Sequence, residues 1–153
     1  MSGVPGKNKI ERGFRIIFDD NGSSARDLSG DLVPGTVTSP GGLVWDEVDM
    51  TGANQTVKNS LAGQADSDIS AQFYMNDTAT TGAFTVLNGM GGKVGTLTLQ
   101  YGSNGAAPST GDPEWEGEYV LLDTSINNSN GKFVINAHFR PSGDVAPAWG
   151  TVS

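Results

Sequence analysis

The sequence predicts a mainly β domain, a β-sandwich or partly closed barrel with one flanking α-helix at about residues 78–90. Short runs of alternating apolar and polar residues recur along the chain, and clusters of Gly, Asn, Asp, Ser and Pro separate them. Only one segment carries helical spacing. With 36% hydrophobic residues and 22 glycines among 153, the composition suits many short strands joined by turns. The length fits one hydrophobic core, so we divide the chain into an N-terminal arm, residues 1–13, and a single β-rich domain, residues 14–153.

The arm carries Gly3, Pro5 and Gly6, the basic residues Lys7, Lys9 and Arg12, and little apolar surface, which predicts a flexible segment. Phe14, Ile16 and Phe18 then alternate as a strand, Asp20-Asn21-Gly22 supplies a turn, and a hairpin return through Ala25 to Leu28 is expected. Pro34, Pro40 and several glycines break the stretch from Ser29 to Gly42 into an extended loop or long mobile hairpin. In Leu43–Met50, Val44, Val48 and Met50 share a face with Asp46 and are expected to claim the core. Glu47 and Asp49 then project the other way, with Leu43 and Trp45.

Ile69, Ala71, Phe73 and Met75 alternate with Ser70, Gln72, Tyr74 and Asn76 as a half-buried strand. Thr78 is the expected cap of the helix, whose apolar stripe is Ala83, Phe84, Leu87 and Met90 and whose stop is Gly91-Gly92. Its threonines lower helix propensity, so packing on a sheet must hold it. Further strands are expected at Leu97–Tyr101, Trp115–Asp123 and Phe133–Arg140. In the last of these Phe133, Ile135, Ala137 and Phe139 share one face, and Pro141 opens a short tail.

A search for chemistry returns bland answers. The chain has no cysteine, which removes disulfides, thiolate metal sites and cysteine nucleophiles together. Its one histidine, His138, has no G-x-S-x-G nucleophile motif to serve and reads as a surface or interface residue. Asp112, Glu114, Glu116 and Glu118 lie close in sequence, but EF-hand spacing is absent. Glu116 and Glu118 are expected on one face with Glu114 away from them, a solvated acidic edge rather than a calcium site. Asp66, Asp68 and Asp77 read as turn aspartates. Gly89–Gly95 lacks the Ser or Thr after Lys93 that a phosphate loop needs, and it follows a helix instead of preceding one. No cofactor and no enzymatic activity are expected. A formal charge of −8 disfavours nucleic acid and anionic membranes as ligands, and no apolar run is long enough to span a bilayer. The start, MSGVPGKNKIERG, lacks the apolar core of a signal peptide, so synthesis in the cytoplasm is expected.

Three stretches resemble the tail tube (major tail) proteins of long-tailed bacteriophages. WDEVDMTGANQTVKNSLAGQADSDISAQFYMND is similar to a family pattern in which an acidic strand ends in Val-x-x-Thr, here Val48 and Thr51. A short loop follows, and an apolar-x-Gly turn, here Leu61 to Gly63, leads into an alternating strand. GDPEWEGEYVLLDTS looks like a Pro-Glu-aromatic-x-Gly lead into a late strand, and FVINAHFRPSGDVAPAW like an alternating strand that meets Pro-Ser-Gly. The resemblance runs from Trp45 to Trp149. It implies a virion protein that assembles into stacked six-membered rings, a conduit that DNA passes without specific binding, with other tail or head-tail proteins as partners. On that reading Glu47 and Asp49 are candidate lumen-facing acids, and Lys7, Lys9 and Arg12 belong to a candidate inter-subunit or stacking arm. A capsid decoration or cement protein is the alternative role. A carbohydrate-binding β-sandwich is a third, but Trp45, Trp115 and Trp149 are scattered along the chain.

Overall fold

The computed structural model describes residues 8–153. The strands are β1 (Lys9–Asp19), β2 (Ala25–Asp27), β3 (Val44–Asp49), β4 (Ser60–Asp66), β5 (Ile69–Tyr74), β6 (Val94–Ser103), β7 (Pro113–Asp123), β8 (Ile126–Ser129), β9 (Lys132–Pro141) and β10 (Ala148–Thr151). One α-helix, α1 (Ala83–Met90), lies between β5 and β6. Eight strands form one antiparallel sheet in the order β2-β1-β6-β7-β9-β5, with β10 added to β7 and β8 to β9, while β3 and β4 pair only with each other.

The large sheet folds back on itself without closing into a barrel. Phe18 of β1 and Phe139 of β9 lie three positions apart in the sheet order, β6 and β7 intervening. A flat sheet would separate β1 from β9 by about 14 Å, yet the two rings meet edge to face with centroids 4.9 Å apart. Strand β7 makes the fold possible by changing neighbours along its length: Pro113–Glu116 pairs with β10, and Tyr119–Asp123 with β9. The alternating residues fill the space enclosed. Ile16, Phe18, Ile69, Phe73, Leu97, Leu99, Tyr119, Leu121, Ile135 and Phe139 are all fully buried.

Helix α1 closes this core with Ala83, Val86, Leu87 and Met90, while Phe84 is only half-buried. It begins five residues after the expected cap. Thr78 turns back instead, donating from both its backbone N–H and its hydroxyl to Asn76 Oδ1. The free N–H of Ala83 is met from a distance by the Asp31 carboxylate at 3.1 Å, which suits the positive end of a helix.

Asp31 belongs to a segment, residues 28–42, that fills the open seam of the sheet. Leu28 N–H donates to Ile16 O on β1 at 2.9 Å; further along, Val33 and Thr38 N–H donate to Gln72 O and Ser70 O on β5 at 2.9 and 2.8 Å. The stretch expected to be a loop therefore straps one edge of the sheet to the other and satisfies both in part.

Four expectations are corrected by the coordinates. Strand β1 starts at Lys9 instead of Phe14, with Lys9 paired to Ser103 on β6. Phe133 lies past the end of the core and is exposed, while Val134 on the opposite face is buried. The short tail after Pro141 contains a strand that was not expected, because Ala148–Thr151 pairs with β7. The fourth correction concerns β3: every residue of Val44–Asp49 is exposed. Neither face of that strand packs on the core, so core packing on its Val44 side cannot be what directs Glu47 and Asp49 outward.

Candidate assembly surface

Strands β3 and β4 form a projecting two-stranded arm. Leu61–Gly63, expected as a turn, lies within β4. The arm's register is Val44↔Asp66, Trp45↔Ala65, Glu47↔Ala62, Val48↔Leu61 and Asp49↔Ser60, with a bulge in β4 opposite Asp46. Its tip is closed locally. Met50 N–H donates to Asn59 O at 2.8 Å, and Asn59 N–H donates to Thr51 Oγ1 at 2.8 Å. Thr51 also hydrogen-bonds Asp49 and holds that carboxyl below its usual range.

Such an arm is unusual in what it exposes. Val44, Trp45, Val48, Met50, Val57 and Leu61 are between 42% and 76% accessible, and both of its outer strand edges lack a partner among the described residues. An isolated two-stranded ribbon is marginal in water, and bare apolar edges are templates for pairing with another chain. The alternation that resembles a core strand therefore lies on exposed surface.

The root of the arm, in contrast, is firmly held. Ser67, between β4 and β5, is buried, and its Oγ lies 2.8 Å from Tyr119 Oη. Trp115 Nε1 donates to the same phenol at 2.8 Å. Desolvation raises the Tyr119 pKa, keeping the phenol neutral and able to serve both neighbours. On the surface beside it, Arg140 Nη2 reaches Asp66 Oδ2 at 2.7 Å, and His138 Nε2 hydrogen-bonds Asp68. The aspartates read as turn formers therefore pin the arm to β9. We expect Tyr119→Phe to leave the Ser67 hydroxyl and the Trp115 N–H unpaired, costing about 1–3 kcal/mol in denaturant titrations. A cost near zero would show that the phenol does not hold the root.

The remaining predicted residues are dispersed. Lys7 lies outside the described residues. Lys9 pairs with Asp112 at 3.3 Å and Arg12 donates to Gly105 O at 3.2 Å, so both are laid along the sheet. Glu47 and Asp49 sit on the arm, far in sequence from those cations. Glu114, Glu116 and Glu118, expected on different faces, share one: they accept from Gln100 Nε2, Thr98 Oγ1 and Thr96 Oγ1 across the β6–β7 register. Positions i, i+2 and i+4 of a regular strand must lie together, and the ladder consumes these carboxylates in cross-strand bonds. Among the described residues no group of three or more His, Asp or Glu is placed to hold a metal ion.

Trp115 and Trp149, distant in sequence, meet edge to face at 5.1 Å, and Tyr101 lies 5.7 Å from Trp149. Trp115 is buried, however, and only Trp149 presents substantial area to solvent. The group is a core extension capped by one exposed indole, not a flat sugar platform.

No protein-family model matches this sequence, and no curated protein matches it. Among solved structures, a chain in the cryo-EM structure of the anti-feeding prophage (AFP) baseplate, 6-fold symmetrised, is similar over 97% of this chain and 97% of its own. The TM-score is 0.61 at 13% sequence identity, so the likeness is one of fold.

Proposed function

We propose that this chain is a structural subunit of a phage-tail-like assembly, and that it forms stacked six-membered rings enclosing a conduit for DNA. The observation that carries the reading is the β3–β4 arm, which is held rigidly at its root yet exposes apolar side chains on unpaired strands. A monomer gains nothing from such an arm; a second copy would cover it. The end-to-end fold likeness to a chain of a six-fold baseplate structure supports a tail setting and six-fold rings.

On this reading the protein has no catalytic role, and its partners are further copies of itself and other tail components. A net charge of −8 per copy disfavours adhesion of DNA to the assembled wall. A decoration protein would share the composition but would not polymerise alone. The purified chain, concentrated and examined by native mass spectrometry and negative-stain electron microscopy, is therefore expected to show rings or tubes. Monomer at every concentration would overturn the proposal.

A further inference from the structure

The reading above requires a surface to receive the arm, and the distribution of unpaired charge identifies one. On the arm, Asp46 and Glu47 have no cationic partner among the described residues, and Asp49 bonds only within its own turn. On β1, Arg12 and Arg15 have no carboxylate partner: their guanidinium groups donate to the backbone carbonyls of Gly105, Arg12 and Phe14. Of the other cations, Lys9 is paired with Asp112, Arg26 with Asp20 and Arg140 with Asp66, while Lys93 donates to Asn21 Oδ1, Lys132 lies over the Tyr74 ring, and Lys58 near the arm's tip has no carboxylate partner among the described residues. Asp46, Glu47 and Asp49 outnumber Lys58 on the arm, and Lys9, Arg12 and Arg15 outnumber Glu11 at the start of β1, so the arm is net acidic and this stretch of β1 net basic.

This stretch of β1 adjoins two concavities, the first mainly apolar. One, of about 200 Å³, is walled by Ile10, Phe14, Val37, Pro40 and Tyr101. A second, of about 380 Å³, shares Glu11 and Phe14 with the first and is of mixed polarity, lined also by Arg12, Arg15, Ser29, Leu32 and Pro34. Glu11, the one acid between them, is occupied by Gly35 N–H, which it accepts at 3.0 and 3.1 Å with its two oxygens. A hollow with apolar walls beside guanidinium groups that no carboxylate neutralises among the described residues complements a ribbon that carries Val, Trp and Met together with Asp and Glu.

We infer that the arm of one copy docks edge-on on the surface formed by β1 and the strap of the next copy, apolar side chains entering the hollows and Asp46 and Glu47, on opposite faces of β3, reaching Arg12 and Arg15 from either side of that edge. The arm and its receiving surface are different patches, so the contact is heterologous and repeats from copy to copy, closing into a ring or continuing as a filament. It rests on the assembly reading proposed above.

Charge reversal tests it. Asp46→Lys with Glu47→Lys, and separately Arg12→Glu with Arg15→Glu, should each raise the protein concentration needed for assembly by about tenfold or more, because like charges then meet. All four together should return that concentration to within about threefold of wild type, which misfolded chains would not do. The absence of cysteine allows a second measurement. Arg12→Cys and Glu47→Cys proteins, mixed and oxidised, should form a disulfide between copies in preference to either homodimer. Assembly of wild type with no effect of either reversal and no mixed disulfide would overturn this contact alone. Normal tubes from the arm variant with altered DNA passage would place Glu47 in a lumen instead, as expected from the sequence, and would overturn it too. A wild-type chain that stays monomeric would overturn both this contact and the assembly reading.

Discussion

Replacing residues 44–66 with a short glycine-rich turn is expected to abolish ring and tube formation while the monomer unfolds within a few degrees of wild type. The two halves of that expectation have separate causes. No residue of β3 or β4 belongs to the buried core, so excision removes no core contact. What is lost at the root is the Arg140–Asp66 pair, about 40% exposed on both sides, and solvent-exposed pairs of this kind contribute roughly 0–1 kcal/mol. Assembly, by contrast, loses the exposed apolar side chains and both free strand edges together. Sedimentation velocity and electron microscopy report the first effect, thermal unfolding by circular dichroism the second. Tubes that persist without the arm would refute its role; a variant that unfolds at room temperature would show that the arm supports the domain itself.

Phe139→Ala should have the opposite profile, destabilising the domain before any question of assembly arises. Phe139 is fully buried on β9, meets Phe18 edge to face at 4.9 Å, and lies opposite Ile69 in the β5–β9 register and Leu121 in the β7–β9 register. It thus joins the two sides of the folded sheet. Truncation removes the aromatic contact and leaves a cavity that β-strands fixed by ladder hydrogen bonds cannot collapse to fill, at a cost of about 3–5 kcal/mol. For a chain of this length that corresponds to a fall in Tm of roughly 6–20 °C. An equilibrium urea titration with unchanged slope would confirm a loss of stability without a change in unfolding mechanism. A shift below about 1 kcal/mol would show that the sheet does not close on this residue.

The parts of the fold visible in the sequence are those where pattern and burial coincide. Ile69, Ala71 and Phe73 alternate strictly because one face of β5 is core and the other is not. The same reasoning fails at β3. Val44, Val48 and Met50 carry the alternation of a buried strand, but a pattern records the polarity of a face and not what packs on it, and here nothing in the described residues does. Asn76 is another limit: its side chain captures the Thr78 turn and delays α1 until Ala83, and the compensating cap is Asp31, 52 residues away. Strand β10 reads Ala-Trp-Gly-Thr, with no periodic signal, and exists because β7 offers it an edge. The acidic side of residues 43–50 and the basic chain start, with Arg12 in a candidate inter-subunit segment, were visible in the sequence, but that Lys9 is neutralised by Asp112 while Arg12 and Arg15 meet backbone carbonyls was not, since paired and unpaired cations look alike there.

The two attachments of the arm differ in kind, and this determines how the subunit responds to force. On one side the arm continues into the strap, which touches β5 through sparse hydrogen bonds such as Val33 to Gln72 and Thr38 to Ser70. On the other it continues into β5, whose six paired residues run alongside β9 and whose approach is pinned by Ser67 on Tyr119. Tension on the arm would peel the strap bond by bond but would load the β5–β9 ladder along its length, where many bonds must break at once. A pulled subunit should therefore lengthen first by releasing residues 28–42, a compliant tether in series with a stiff anchor. In the assembly proposed above, neighbours joined through such arms would separate slightly under strain while the large sheet of each stays intact.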